Sequence, residues 1–451
     1  MHHQIEQDQG ETPGPSELQD SKPNRIQQWR IQAQRDIARK WKNPQYLWIN
    51  LLEAPILALL LAVLLRSSDG EVYSYGSAIN LPHFLFVAVI VAVFMGLTVS
   101  AEELFRDRLM RKREGHLQLS WGAYLGAKTA VLFAISAIQT LLFAAVSHPI
   151  LGLPGHFAAY AFTLFTVAAC ANVFGLVISL LFNSVRVIYL AIPLFIIPQL
   201  MLGGAIVPFS DMYPRIARST TAAWPAQFMI SRWGFESLTT LYAAKNDYES
   251  ALFAAHQGLA EAEFRRDRWI PEMRDQLRAA QQGEDNALRI VAKGLGELTG
   301  VATDVVLEDG IDMDESQRLA DALDVELALQ RKAWTSAKSE KDKLLSQLSW
   351  TDPATLVAVK SSQHNTVLSD WVTANGTLDA GFALENHRIL NTRDALYSLE
   401  GHTFYAATIQ LGGQTWAKHH WNAMILWGAT LAIVALLTVL GNGVRRRDQP
   451  R

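Results

Sequence analysis

Six apolar stretches of lipid-spanning length most constrain what this chain can fold into. A bilayer core about 30 Å thick requires about 20 apolar residues in helical form. Because backbone polar groups find no water inside lipid, such stretches are stable there as helices. The sequence therefore predicts an all-α membrane protein with six transmembrane helices, over about 46–65, 84–101, 123–146, 157–182, 188–209 and 421–444.

Lysine and arginine are concentrated on one side of these predicted helices. The opposite loops, 67–82 and 147–156, contain neither residue. Because cationic loops stay in the cytoplasm, both termini are predicted to be cytoplasmic and residues 210–420 to lie outside. The cations in question are Arg25, Arg30, Arg35, Arg39, Lys40 and Lys42 before the first stretch, Arg106, Arg108, Arg111, Lys112 and Arg113 after the second, Arg186 after the fourth, and Arg445, Arg446 and Arg447 after the sixth.

The segments near the cytoplasmic side are predicted from composition. Residues 1–25 are polar and predict a disordered tail, and 445–451 predict a second short tail. Residues 26–45 predict a connecting helix in the membrane interface, with an ordinary basic flank as the alternative. The apolar residues that share one face of that helix are Ile26, Trp29, Ala33, Ile37 and Trp41. Residues 102–121 are rich in both charge signs and predict either a solvated loop or a docking segment for a cytoplasmic partner.

The predicted extracytoplasmic insertion, 210–420, is mainly helical in pattern. Residues 249–282 have helical periodicity interrupted by Pro271, which should end or kink the helix. Residues 313–348 predict a second long helix, and the two can form an antiparallel pair with 294–310 turning between them. The pattern over 350–420 is mixed and predicts no particular structure.

Motifs for catalysis, metal binding and nucleotide binding are absent from the sequence. No G-x-x-x-x-G-K-[ST], H-E-x-x-H or G-x-S-x-G occurs, so we expect neither a catalytic residue nor a metal ligand set. The single cysteine, Cys170, excludes an internal disulfide. A net charge of −3 gives no indication of a nucleic-acid partner.

Polar residues within the predicted membrane helices have two interpretations. They form hydrogen bonds between helices, or they line a translocation pathway. These residues are Glu53, Glu102, Glu103, Lys128, Gln139, Asn172 and Gln199. Prolines and glycines between 193 and 208 predict that the fifth helix is broken or kinked.

Several segments together resemble the ABC-2-type permeases, with the architecture shared with ABCG-like exporters. The most characteristic is SAEELFRDRLMRKREGHLQLSWGAYLGAK at 100–128, where a helix ending in glutamate is followed by a charged cytoplasmic segment. IPQLMLGGAIVPFSDMYP at 197–214, SRWGFESL at 231–238 and HHWNAMILWGATLAIVALL at 419–437 are similar to later family elements. The resemblance is to bacterial members with a large insertion before the last helix, which implies the bacterial cell inner membrane.

The resemblance implies a permease subunit that exports its substrate using a separate ABC ATPase. ATP and Mg would then bind to the partner ATPase, and this chain would bind no cofactor. Half of a two-fold pathway implies a second copy of the chain, or a similar permease. The implied ATPase-coupling residues are Glu102, Glu103, Arg106, Arg111, Lys112, Arg113 and Glu114. The implied pathway-lining residues are Phe94, Met95, Asn172, Gln199 and Met201.

Two other functions remain open from the sequence. The chain could be a membrane-anchored scaffold or sensor whose outer helical segment binds an envelope partner. It could also be a membrane-embedded enzyme, although the absent motifs argue against this. The sequence sets neither the substrate nor the direction of transport.

Overall fold

The computed structural model describes residues 24–448, except 69–71, 114–119, 214, 218–220, 300–312, 349, 351, 374–380, 399–403 and 412. The predictions for residues 1–23 and for Glu114 therefore lie outside the described residues. The helices are α1 Arg25–Trp41, α2 Pro44–Leu65, α3 Leu81–Ser100, α4 Glu103–Arg106, α5 Arg108–Arg113, α6 Trp121–Ile150, α7 Phe157–Leu181, α8 Val185–Met201, α9 Ile230–Ala244, α10 Asp247–Phe264, α11 Ile270–Gln281, α12 Asp285–Thr299, α13 Met313–Gln347, α14 Pro353–Gln363, α15 Thr366–Thr373 and α16 Lys418–Asp448.

Five of these helices, α2, α3, α6, α7 and α16, are long and apolar enough to cross a membrane. The fifth predicted stretch, 188–209, corresponds to α8, which is apolar but has only 17 residues, or about 25 Å of helix, so a sixth membrane span stays a prediction. Two internal prolines and the two glycines that follow account for its early end. Gly204 has φ +83°, a conformation that glycine adopts without strain, and the chain then continues without helix.

The centre of the helix bundle is the contact between α3 and α7. Both helices have 72% of their apolar window buried, whereas α2 and α16 have 17% and therefore form the periphery. Gly96 lets the two backbones approach, because a Cβ there would lie 2.9 Å from the Ala171 Cβ and collide with the Ala168 carbonyl. Small residues allow this close contact, which drives helix association in lipid.

Helix α9 packs inside the bundle although it belongs to the predicted insertion 210–420. All its residues except Trp233 are buried, and it contacts α3, α7 and α16. Gly234 faces Val89 and Val167, eight residues into α3 and ten into α7, so α9 reaches about 12–15 Å into the bundle. The fold therefore has no boundary at 210 between the membrane helices and a separate domain.

Three polar contacts hold α9 in place. The Glu236 carboxylate is fully buried and lies 3.3 Å from the Arg232 guanidinium and 3.6 Å from Lys418 Nζ. The Asn422 amide donates a hydrogen bond of 2.8 Å to the same carboxylate. Buried charges are stable only when they are paired in this way.

A long antiparallel helix pair forms the part of the chain on the far side of the bundle from α1. One member is α10 continued by a π-helical turn, Arg265–Trp269, and α11; the other is α13. The contacts run in opposite directions along the two members: Gly258 with Ala337, Arg274 with Asp324 and Gln281 with Ser316. The predicted antiparallel pair is thus confirmed. Pro271 lies at the start of α11, and the π turn before it accommodates the missing N–H.

The connection between these helices differs from the prediction. Residues 294–299, predicted as part of a turn, belong to α12, which packs on α11 through Met273 and Ile290. The remaining residues of the predicted turn lie outside the described residues.

Two short antiparallel β-hairpins lie within 350–420, where the sequence pattern predicts no particular structure. Strands β1 Phe382–Glu385 and β2 Arg388–Asn391 pair with Phe382 opposite Asn391. Strands β3 Thr408–Leu411 and β4 Gln414–Ala417 pair with Thr408 opposite Ala417, and β4 leads directly into α16.

Candidate coupling site

Helix α1 has one face on the bundle and another exposed. Gln32, Ala33, Asp36 and Lys40 are buried against the bundle, where Ala33 packs with Ala127 and Val131 of α6. Of the apolar face predicted for α1, the members that remain exposed are Ile26, Trp29, Ile37 and Trp41, at 73%, 38%, 52% and 75%. The helix therefore turns its charged residues at 36 and 40 inward, toward α4 and α6.

Six charged side chains meet where α1, α4 and α6 converge. Three are carboxylates and three are cations, so the group is neutral: Asp36, Glu103, Asp107, Arg39, Lys40 and Lys128, here called the six-charge cluster. All except Arg39 are at least 90% buried. Burying six charges is tolerable because each has an opposite partner.

Lys128 lies at the centre of the six-charge cluster. Its Nζ is 2.6 Å from Asp36 Oδ1, 2.8 Å from Glu103 Oε2 and 3.0 Å from Asp107 Oδ2. Lys40 pairs with Glu103 on the other side. One ammonium group therefore connects α6, α1 and the α4 segment.

Arg39 covers the solvent side of the cluster. Its guanidinium bonds Asp107 and lies 2.8 Å from Asp36 Oδ1 and 3.3 Å from Glu103 Oε2. Partial burial lowers the pKa of Arg39, but the hydrogen bond and the charge of Asp107, with those of Asp36 and Glu103, raise it above its ordinary value. The guanidinium therefore stays charged in the folded protein.

A small cavity of about 50 Å³ adjoins the six-charge cluster between α1 and α6. Asp36 lines it, and among the described residues Asp36 Oδ2 has no hydrogen-bond partner. The space is enough for one or two water molecules beside an unpaired acceptor. The cluster therefore has room in which its side chains can shift.

Arginines anchor the short helices α4 and α5 to the bundle. Arg108 donates hydrogen bonds to the carbonyls of Leu180 and Phe182, at 2.6 and 2.9 Å, at the end of α7. Arg111 lies over the Trp121 ring, 4.8 Å from its centroid, and donates to the Leu104 carbonyl. Residues 103–113 are therefore attached to α6 and α7 as well as to α1.

The predicted coupling residues separate into two groups. Glu103 and Arg111 face the bundle, whereas Arg106, 58% exposed and paired with Glu102, faces outward. The backbone of Lys112 and Arg113 is helical, and their side chains, like Glu114, lie outside the described part. Exposed residues can meet a partner directly, and buried ones can only transmit movement.

Sequence reasoning missed the partners that complete the six-charge cluster. The sequence analysis places Lys128 among the polar residues that bond between helices or line a pathway, and it singles out neither Asp36 nor Asp107. One signal was available: Asp36 and Lys40 are four residues apart, on the face of α1 that includes Ala33.

The predicted pathway-lining residues do not form one surface. Met95, Asn172 and Gln199 are at most 2% exposed, while Met201 is 47% exposed and Phe94 partly buried. Asn172 donates to Ser136 Oγ at 2.8 Å and Gln199 accepts from the Ser231 N–H at 2.9 Å, so both make the interhelical hydrogen bonds of the alternative interpretation.

Five helices of spanning length around an apolar core define a multi-pass membrane protein. Residues 27–242 match the model of the ABC-2 type transporter family, which supports the resemblance to ABC-2-type permeases over that part of the chain. The match extends from α1 almost to the end of α9 and includes the whole six-charge cluster. A search of the curated proteins found no match.

Proposed function

We propose that this chain forms the translocation pathway of an ABC exporter and is driven by a separate ATPase subunit that docks on α4 and α5. The chain lies in a bacterial inner membrane with both termini in the cytoplasm, and pairs with a second copy or a similar permease. ATP and Mg bind to the ATPase, and this chain binds no cofactor. The observation that carries the proposal is the six-charge cluster, which joins α4 to α1 and α6.

The cluster gives the docking segment a mechanical connection to the membrane helices. Glu103 and Asp107, on the segment, each contact Lys128 of α6. A displacement of α4 must therefore carry α6 and α1 along, or exchange ion pairs within the cluster. Packed interfaces with alternative pairings switch between discrete arrangements rather than deforming continuously.

The outward face of α4 and α5 has the chemistry of a docking surface. Leu109 is 75% exposed and Arg106 58%, on adjacent turns. An apolar anchor with a charge beside it suits a polar, mobile interface.

The first experiment reconstitutes the full chain with a candidate ABC ATPase subunit from the same organism. We expect co-purification and hydrolysis that is several-fold faster in the complex. The double variant Arg106→Glu, Leu109→Asp should abolish co-purification. Arg318→Glu, an equally exposed site on α13, serves as the control and should leave it unchanged. Binding that survives the double variant would exclude α4 and α5 as the docking surface.

A scaffold function is the second candidate, because the helix pair of α10–α11 and α13 is long and exposes Val325 and Leu329, at 62% and 54%. A helix of 35 residues spans about 52 Å, far enough to reach a partner in the envelope. This function predicts that the full chain captures an envelope protein without ATPase, and that Leu329→Asp prevents capture. The exporter and the scaffold are compatible in one molecule.

A further inference from the structure

Glu53 is a carboxylate near the middle of a membrane helix. It is the tenth of the 22 residues of α2, about 14 Å from the start of the helix. Its side chain is partly exposed, at the edge of the face that carries Leu60 and Leu64, which are 58% and 71% exposed. A charge at this depth is costly unless it has a partner.

Glu53 belongs to a polar stripe rather than standing alone. Tyr46, Asn50 and Glu53 are spaced i, i+4 and i+7 and therefore share one face of α2. Gln139 of α6 meets this stripe, because its Nε2 donates a hydrogen bond of 2.9 Å to the Asn50 carbonyl, one turn from Glu53. The stripe begins beside the six-charge cluster, where Lys40 Nζ lies 5.1 Å from the centroid of the Tyr46 ring.

Several polar groups of the stripe have no hydrogen-bond partner among the described residues. Gln139 is 1% exposed, yet among the described residues its Oε1 has no hydrogen-bond partner, and neither has the buried Tyr46 hydroxyl. Within the same described part, Glu53 makes no ion pair or hydrogen bond. Buried acceptors normally have a donor, so this group lacks a positively charged or hydrogen-bond-donating partner.

The membrane helices of this chain, and therefore those of a second copy, offer no cation to Glu53. Lysines and arginines in the membrane helices lie near helix ends, at Lys128, Arg186 and Lys418, and none lies at the depth of Glu53. The missing cation must then come from another molecule, and the exposed leucines beside Glu53 open toward lipid.

We propose that Glu53 binds a cationic amphipathic molecule that reaches α2 from the bilayer. The carboxylate pairs with the cation, and the apolar part lies against the exposed leucines of α2. In terms of the proposed function, on which this step rests, the site specifies organic cations as the class of cargo.

The test uses the full chain in lipid vesicles and needs no ATPase. A hydrophobic carbodiimide should modify Glu53, because this partly exposed carboxyl has no ion-pair partner in the described part and opens toward lipid. Glu103, ion-paired in the six-charge cluster, should remain unmodified and is the internal control. Tetraphenylphosphonium should protect Glu53 from modification, and tetraphenylborate, equal in size and opposite in charge, should not.

A binding measurement with labelled tetraphenylphosphonium completes the test. Glu53→Gln removes the charge at constant size and should weaken binding at least about tenfold, the effect of losing one charge-assisted contact. Equal protection by both ions, binding unaffected by Glu53→Gln, or no modification of Glu53 would each overturn the cation site. None of these outcomes bears on ATPase docking, which fails only if the complex does not assemble.

Discussion

Lys128 and Arg39 each contact all three carboxylates of the six-charge cluster, but in different surroundings. The Lys128 side chain is 3% exposed and the Arg39 side chain 43%. If Arg39 is replaced, water can reach and screen the carboxylates that lose its charge. If Lys128 is replaced, water has little access to the carboxylates around it.

The first prediction follows from this difference. Lys128→Met should destabilise the protein by about 3–5 kcal/mol, because it leaves three buried carboxylates with two cations. Arg39→Gln makes the same change in charge count at a partly solvated position and should cost clearly less. Thermal unfolding of the purified full chain in detergent measures both. Equal losses of stability in the two variants would show that the contribution of Lys128 to stability does not depend on its burial.

His364 gives the far side of the molecule a dependence on pH. Burial lowers the pKa of His364, and the positive Lys360 on α14 adds to the effect. Glu249 on α10 and Asp370 on α15 oppose it, and His256 on α10 lowers the pKa further. The imidazole lies edge-on to the Tyr248 ring at 5.3 Å, and among the described residues its Nδ1 has no hydrogen-bond partner.

The second prediction is a loss of stability on acidification. Below about pH 6.5 the unfolded chain binds a proton at His364 that the folded chain does not, so stability falls as the pH falls, by at most about 1.4 kcal/mol per pH unit. His364→Gln removes this contribution. The drop in thermal midpoint between pH 7.5 and pH 5.5 should therefore be smaller in the variant than in the wild type, and an equal drop would contradict the assignment.

At the scale of elements, the close contact of α3 with α7 depends on single glycines. The third prediction compares one of them, Gly96, with a glycine outside this contact. Gly96→Ala places a methyl group against the Ala168 carbonyl and should cost about 1–3 kcal/mol through overpacking. Gly428→Ala, in α16, meets nothing within 4 Å and should leave the thermal midpoint unchanged or raise it. Similar midpoints for both variants would mean that α3 and α7 can separate without cost.

Sequence patterns predicted the positions of the helices more reliably than the contacts that the helices make with one another. The length of apolar runs is a local property, so α2, α3, α6, α7 and α16 were all anticipated. The inward position of α9 was not, because its residues, SRWGFESL among them, carry charges whose partners, such as Asn422, are distant in the chain. Such pairing depends on tertiary contacts that no local window contains.

The same limit applies to the candidate site. Charge density singles out the segment 102–121, but the direction in which each charge points was not predictable. Glu103 and Arg106 are three residues apart, and one is buried while the other is exposed. The bulge at Ala101 and Glu102, which separates α3 from α4, rotates these side chains relative to the preceding helix.

At the scale of the whole molecule, the two polar assemblies lie at opposite ends of the bundle. The six-charge cluster adjoins the end of α3 at Ser100, and the Arg232–Glu236 pair on α9 contacts the opposite end of α16 at Lys418. Between them α3 packs along α7 as a continuous apolar core. Movement at one end can reach the other through these two helices, as the proposed coupling to an ATPase requires.

The fourth prediction tests on which side of the membrane each end of the helix bundle lies. The chain has one cysteine, Cys170, which is buried, so Cys170→Ala provides a background for single introduced cysteines. A cysteine replacing Leu329, on the exposed face of α13, should react with a membrane-impermeant maleimide in intact spheroplasts. A cysteine replacing Leu109, on α5 and 75% exposed, should react only after permeabilisation. The charge asymmetry of the loops requires this order. Labelling of the Leu109 position from outside would reverse the topology and place the proposed docking surface beyond the reach of a cytoplasmic ATPase.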